Sequence, residues 1–323
     1  MAGAGAMSDS ITIVHARGRR LAKTVRADGE IEGYDSAKTV DLFEAEIADL
    51  EALEAVLCRF EHRRDCCVVR GGIADPSRVK GVRRLLYPDT ETGDEPTLRE
   101  MPRQWLALDF DTLPLPAGIK PEDLIGCGRV AIESLPLEFL RVRTIVQATA
   151  SHGLKPGARL RLWYWLDRPV CGDELKYWLR AAPVDPKIFG AAQAIYTSAP
   201  LFLPGSFDPL PTRISVIPGD LAVAAPTPDR LKPPPRPKVV FNHFHNRDPD
   251  GRAIEGIVRS VAAAANGNRN AALYWGSCRM AELIALHAID QETARSLLED
   301  AAAAAGLPPN EAAATVRSGL RHG

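Results

Sequence analysis

Two acidic residues end the clearest strand in the sequence, Trp105-Leu-Ala-Leu-Asp-Phe-Asp111. Pro114 and Pro116 stop it, so it reads as a strand. Strand side chains alternate between faces, which places Trp105, Ala107, Asp109 and Asp111 on one side. Two neighbouring carboxylates repel each other unless a positive group sits between them. A divalent cation supplies that charge, and an all-oxygen donor set suits Mg²⁺ or Mn²⁺. The other reading is a strand end whose aspartates cap the following turn.

A second strand, Ala158-Arg-Leu-Arg-Leu-Trp-Tyr-Trp-Leu166, carries Arg159, Arg161, Trp163 and Trp165 on one face. Guanidinium forks hold phosphate oxygens, so two arginines beside two aspartates suit a metal-bound polyphosphate. Equally, they can pair with carboxylates across a sheet. Two later acids stand beside prolines. Asp185 follows Pro183-Val184, and Asp208 lies in Phe207-Asp-Pro-Leu-Pro211. Asp208 could position Arg213 or open a turn.

These residues must be held by a larger frame. Val40, Phe43, Ile47, Leu50, Leu53 and Leu57 recur at steps of three and four, predicting a helix over 38–64. Residues 66–70 read as a strand running into Gly71-Gly72, and 76–101 as a charged loop. A helix or two over 119–140 precedes strands at 143–150 and 158–166, which are joined by Gly153-Leu-Lys-Pro-Gly157. A helix follows at 172–181, then an irregular, proline-rich stretch at 183–220. The sequence thus predicts an α+β chain: a leader at 1–11, a domain over 12–225 with a central mixed or antiparallel sheet, a proline-rich linker at 226–250, and a small all-α domain over 251–323. That last part predicts helices at 252–265, 268–287, 291–305 and 309–321.

Composition narrows the classes. With 323 residues, 46% hydrophobic and 25% charged, the chain is neither largely disordered nor fibrous. Its net charge is −1, so a nucleic-acid surface must come from local clustering. Six cysteines without a CxxC pair make no disulfide framework. Cys58, His62 and Cys66 fall on one helical stripe, but one stripe cannot surround an ion, and no zinc is expected. The histidines of Phe241-Asn-His-Phe-His-Asn246 read as polar sequence flanking the linker. No run of 18 apolar residues and no signal-peptide core occurs, so no membrane partner is expected and the expected location is cytoplasmic.

In this order, Asp109-Phe-Asp111, Arg159-Leu-Arg161 running into Trp163-Tyr-Trp-Leu-Asp-Arg-Pro169, and Val184-Asp185 resemble the catalytic domain of archaeo-eukaryotic primases. The nearest branch is the primase–polymerases of plasmids, phages and integrated elements. Gly267-Asn-Arg-Asn270, Arg279-Met-Ala-Glu-Leu283 and Thr315-Val-Arg-Ser-Gly-Leu320 are similar to the helical module that often follows such domains.

The resemblance implies an RRM-like core and template-directed nucleotidyl transfer in replication of a mobile element. Two Mg²⁺ or Mn²⁺ ions would be held by Asp109, Asp111 and Asp185, with Asp208 as the alternative third ligand. Nucleoside triphosphates and single-stranded DNA would be the partners. Arg159 and Arg161 stand where the family carries serine and histidine, and Ser151-His152 is a possible replacement pair for nucleotide phosphates. Arg70, Arg83, Arg84, Tyr87, Tyr196 and Arg213 are the candidates along the template. No P-loop occurs, so a helicase would be a separate protein. The rival readings are a non-catalytic replication initiator and a metal-dependent phosphohydrolase or nuclease.

Overall fold

A computed structural model describes residues 8–89, 92–231 and 249–322. The described elements run, in chain order, β1 (Asp9–His15), β2 (Thr24–Val25), β3 (Ile31–Glu32), β4 (Asp41–Ile47), α1 (Leu50–Phe60), β5 (Cys66–Val69), β6 (Gly72–Ile73), β7 (Leu98–Arg99) and β8 (Arg103–Leu113). They continue with α2 (Leu124–Glu133), β9 (Thr144–Ala148), β10 (Ala158–Val170), α3 (Gly172–Trp178), β11 (Leu201–Phe202) and β12 (Ile214–Ile217). Four helices close the chain: α4 (Pro249–Ala262), α5 (Arg269–Ala285), α6 (Gln291–Ala305) and α7 (Pro309–His322). The class is α+β. The chain divides between Lys232 and Pro233 into two compact units. The triple-proline run and the histidines at 243 and 245 lie outside the described residues.

The first unit is built on an antiparallel sheet in the order β12-β9-β10-β8. Its two long strands carry the clearest alternation in the sequence. Leu106, Leu108, Phe110, Leu160, Leu162 and Tyr164 are all buried and share one face. Helix α2 lies against that face. Phe139 adds an edge-on contact to Tyr164, with ring centroids 5.0 Å apart. Trp105 and Trp163 fill the other face, where Trp105 Nε1 donates to the Ser10 carbonyl on β1 at 3.0 Å. Strand β1 is the centre of a second antiparallel sheet, β4-β1-β5.

The approach of α2 requires a glycine. A Cβ on Gly128 would stand 2.7 Å from Val146 Cγ2 and 3.1 Å from Ile217 Cδ1. Gly128→Ala gains about 1 kcal/mol in helix propensity. Overpacking costs roughly 1–3 kcal/mol. The expected sign is therefore a net loss, read as a lower unfolding temperature. A raised one would mean that α2 does not sit against β9 as described.

Several boundaries differ from the sequence expectation. Residues 9–11 are not leader but the start of β1, where Asp9 takes the buried guanidinium of Arg103. The expected helix over 38–64 is strand β4 followed by α1. Asp49 ends the strand, because its carboxylate caps the helix by accepting from Ala52 N. Phe43 is 45% exposed, so it never belonged to a buried helical stripe. Strand β10 runs on through Pro169 to Val170, across a register shift after Trp165. The irregular stretch after residue 183 contributes β12, an edge strand of the main sheet.

The second unit is a set of four helices around Ile254, Val258, Val261, Leu273, Met280, Leu298 and Val316. Asp290 caps α6 by accepting from Thr293 N, and Gly306 ends it in the left-handed conformation at φ 86°.

Candidate functional site

Asp109 and Arg161 lie directly opposite each other in the β8–β10 ladder. Arg161 grips the carboxylate as a fork: Nε donates to Oδ1 at 2.7 Å and Nη2 to Oδ2 at 2.9 Å. Its third nitrogen, Nη1, donates to the Tyr196 carbonyl at 2.7 Å. The Arg161 side chain is 7% exposed and that of Asp109 23%. This is a charge-assisted, bidentate pair in a largely dry setting.

One step along, the strands fall out of register. Ala158 faces Leu113 and Leu160 faces Phe110, so Asp111 and Thr112 together oppose Arg159. This is a bulge, and bulges re-aim side chains. Arg159 Nη2 donates to Thr112 Oγ1 at 2.9 Å, leaving Asp111 exposed. The Nε of Arg159 is buried and has no acceptor in the described chain. Lys23, just before β2, has Lys155, Arg159 and Asp111 as charged neighbours. Burial lowers the Lys23 pKa, the two cations lower it further, and Asp111 opposes them. Its ammonium lies 5.6 Å from the centre of the Tyr34 ring. Tyr34 in turn stacks on Tyr196, with centroids 3.5 Å apart and planes at 6°. Burial pushes the Tyr34 phenol up to about 12, so it stays protonated.

Ser151 and His152 are buried in the turn before β10. His152 Nδ1 accepts from the Arg159 backbone N–H at 3.0 Å, so Nε2 carries the proton and donates to the Pro121 carbonyl at 2.8 Å. Both ring nitrogens are thus committed to the frame beneath Arg159. Burial holds the His152 pKa below the ordinary 6.5, with the Pro121 carbonyl working against that. The sign follows from linkage. Below pH 6.5 the unfolded histidine takes up a proton and the folded one does not. The stabilisation is complete above that value and is lost as pH falls through it. The unfolding temperature is therefore expected to drop more between pH 7 and pH 5 in the wild type than in His152→Asn. Equal slopes would exclude His152 as the titrating group.

The third carboxylates stand apart from the pair. Asp185 is tied to β8 by its backbone, with its N–H on the Asp109 carbonyl at 3.1 Å. Its side chain, however, accepts from Lys187 N at 2.9 Å and caps the short turn Pro186–Phe189. Asp208 is held by Arg213, Nε to Oδ2 at 2.6 Å and Nη2 to Oδ1 at 2.8 Å. Among the described residues, no group of three or more His, Cys, Asp or Glu side chains could hold a metal ion. A three-carboxylate cage for two metals does not fit this arrangement. A single Mg²⁺ fits better, since it is commonly bound through one or two carboxylates plus substrate phosphates. The stripe of Cys58, His62 and Cys66 is broken, because Cys66 belongs to β5 and Cys58 to α1.

The expected template residues scatter. Arg70 is 3% exposed, and its Nη1 and Nη2 donate to the Trp105 and Val170 carbonyls, each at 2.7 Å. It is a frame residue, and so is Arg213, which also donates to the Thr149 carbonyl at 3.1 Å. Neither reaches a template surface. Arg83 pairs with Asp89 and Asp94, and Arg84 donates to the Ala192 carbonyl. Tyr87 is exposed. Tyr196 alone of the set is brought to Arg161. The structure adds Lys23, Tyr34 and Lys155, which sequence reasoning missed. The strands beside Lys23 and Tyr34 are two residues long, too short to show a period, and Lys155 lies in the turn between β9 and β10.

No family model, no curated protein and no solved structure matches this chain.

Proposed function

We propose that the chain is a template-directed nucleotidyltransferase, a DNA primase or polymerase with an RRM-like core of the primase–polymerase kind, acting in replication of a mobile element. The observation that carries this reading is the bulge. There Lys23 has Lys155, Arg159 and Asp111 as charged neighbours, and the buried Arg159 Nε lacks an acceptor. A buried donor without a partner costs about 1–3 kcal/mol, and a phosphate oxygen would satisfy it. Three cations beside one free carboxylate suit a nucleoside triphosphate that arrives with its cation.

In this reading Lys23, Lys155 and Arg159 bind and orient the phosphates. Arg161 keeps Asp109 in place, and the Tyr34–Tyr196 stack walls the site. A divalent cation carried by the triphosphate would be held by Asp111, since Arg161 occupies both oxygens of Asp109, and would neutralise charge on the leaving pyrophosphate. Single-stranded DNA is the template, a helicase would be a separate partner, and the location is cytoplasmic. No described helix is long and apolar enough to cross a membrane.

One observation favours a second reading, a replication initiator without chemistry: both oxygens of Asp109 are taken by Arg161. A gel assay separates the two. Purified protein is incubated with single-stranded DNA, labelled nucleotides and Mg²⁺ or Mn²⁺, with and without primer. Labelled product that requires Asp111 supports transfer. Template binding without product in either metal supports the initiator, and shortening of the DNA would point to a nuclease.

A further inference from the structure

Away from the bulge, two loops meet at the end of β1 and β5. Gly18-Arg19-Arg20 and His62-Arg63-Arg64-Asp65 line an open hollow of about 520 Å³, together with Asp35. The Ala16 N–H on the Asp65 carbonyl, at 2.8 Å, ties the two loops together. Every lining residue is polar, charged or glycine. Four arginines face two aspartates, a local net of +2 on a chain whose net charge is −1.

The arginines are not equivalent. Arg20 donates to Gly33 and Asp35, and Arg63 to Asp65. Both are partly neutralised. Arg19 and Arg64 are exposed, and neither forms an ion pair or a side-chain hydrogen bond among the described residues. A second hollow shares Arg19 and Asp35 and adds Arg17 and Lys38.

The position of this hollow matters. Arg20 is three residues from Lys23, so at most about 11 Å of extended chain separates the two. Arg17, Arg19, Arg20 and Lys23 thus fall within one stretch of seven residues, and the Ala16–Asp65 hydrogen bond joins that stretch to the loop that carries Arg64.

We propose that the Arg19–Arg64 hollow binds the sugar–phosphate backbone of a single-stranded nucleic acid that runs on from the Asp111 site. Arginine forks match phosphate oxygens, and a continuing series of cations suits a polyanion rather than one small anion. An acidic protein segment fits less well, because the hollow has no apolar side chain to seat the aromatic or aliphatic anchors that dominate protein interfaces. The proposal rests on the nucleotide reading for the identity of its polyanion.

The test measures anisotropy of a labelled oligothymidine with the full chain across a series of KCl concentrations. Arg19→Gln/Arg64→Gln is compared with wild type, and triphosphate binding is followed separately. Loss of two phosphate contacts should lower the slope of log K against log salt by about 1.4. Triphosphate affinity should stay within about twofold, since neither residue is among the charged neighbours of Lys23 at the Asp111 site. An unchanged slope and affinity would overturn the proposal, as would a wild type that does not bind the oligonucleotide. So would a variant that keeps DNA affinity and loses binding of an oligoglutamate peptide, the mark of an acidic protein partner. Should the wild type show no triphosphate binding and no synthesis while the variant still loses DNA, the nucleotide reading fails and the backbone site stands.

Discussion

Asp111→Asn is expected to lower nucleotide incorporation by about 100-fold or more while leaving the unfolding temperature where it was. A preorganised charged group at a reacting centre is worth about that much in rate. Asp111 is exposed at the bulge, and surface changes away from special contacts stay within about 0.5 kcal/mol. Asp109→Asn behaves differently. It removes the counter-charge of a guanidinium that is 7% exposed. Breaking a fully buried pair costs about 3–5 kcal/mol, and the 23% exposure of Asp109 reduces this to about 2–3 kcal/mol. Asp109→Asn should therefore lose stability as well as activity. Adding Arg161→Gln should return part of the stability and none of the activity. If Asp111→Asn retains full synthesis, the nucleotidyl-transfer reading fails. If Asp109→Asn is as stable as wild type, the fork contributes nothing to the fold.

The second large effect belongs to Arg103, which is fully buried. Its Nε donates to the Arg70 carbonyl at 2.9 Å, and Nη1 to Asp9 Oδ1 at 3.0 Å and Ser10 Oγ at 2.7 Å. Nη2 reaches the Gly71 carbonyl at 3.2 Å. One guanidinium thereby joins β1, β8 and the end of β5. Arg103→Leu leaves the Asp9 carboxylate, itself 8% exposed, without its cation and the Arg70 carbonyl without the Nε donor, while the Gly71 carbonyl keeps the Thr12 hydroxyl at 2.6 Å. The expected loss is about 3–5 kcal/mol. Arg103→Lys should recover little, because a point charge with three donors cannot span this fork. Urea unfolding followed by tryptophan fluorescence gives the number, with a shifted midpoint at constant slope. A midpoint shared by Arg103→Leu and wild type would refute the role.

The two long strands were legible because alternation over seven or more residues, ended by prolines or glycines, has few other solutions. Their faces followed as well, so Asp109 and Arg161 were expected on one side. What alternation cannot supply is register. The pairing of position 161 with 109, and of 159 with the bulge at 111–112, depends on where β10 meets β8. Phosphate and carboxylate partners for the arginines were therefore equally open in the sequence, and the register gives one of them to a carboxylate. Strand β4 was hidden because Val40, Phe43 and Ile47 happen to fit helical steps. Only the cap at Asp49 marks the change. Lys23 and Tyr34 carried no motif, since a short hairpin and a parallel contact between β11 and β2 bring them to the site. Asp185 was placed near Asp109 by backbone, yet its side chain turns to cap its own loop.

The fork between Asp109 and Arg161 also constrains how such a sequence can drift. It joins positions 52 apart in the chain into one heritable unit. Substitution at either one alone leaves a buried charge behind, so single-step replacement is closed at both. Relatives that keep this fold should change the two positions together. A relative that keeps the aspartate but has lost the arginine must neutralise it with another cation. In that lineage the same carboxylate is released from the framework and becomes available as a metal ligand.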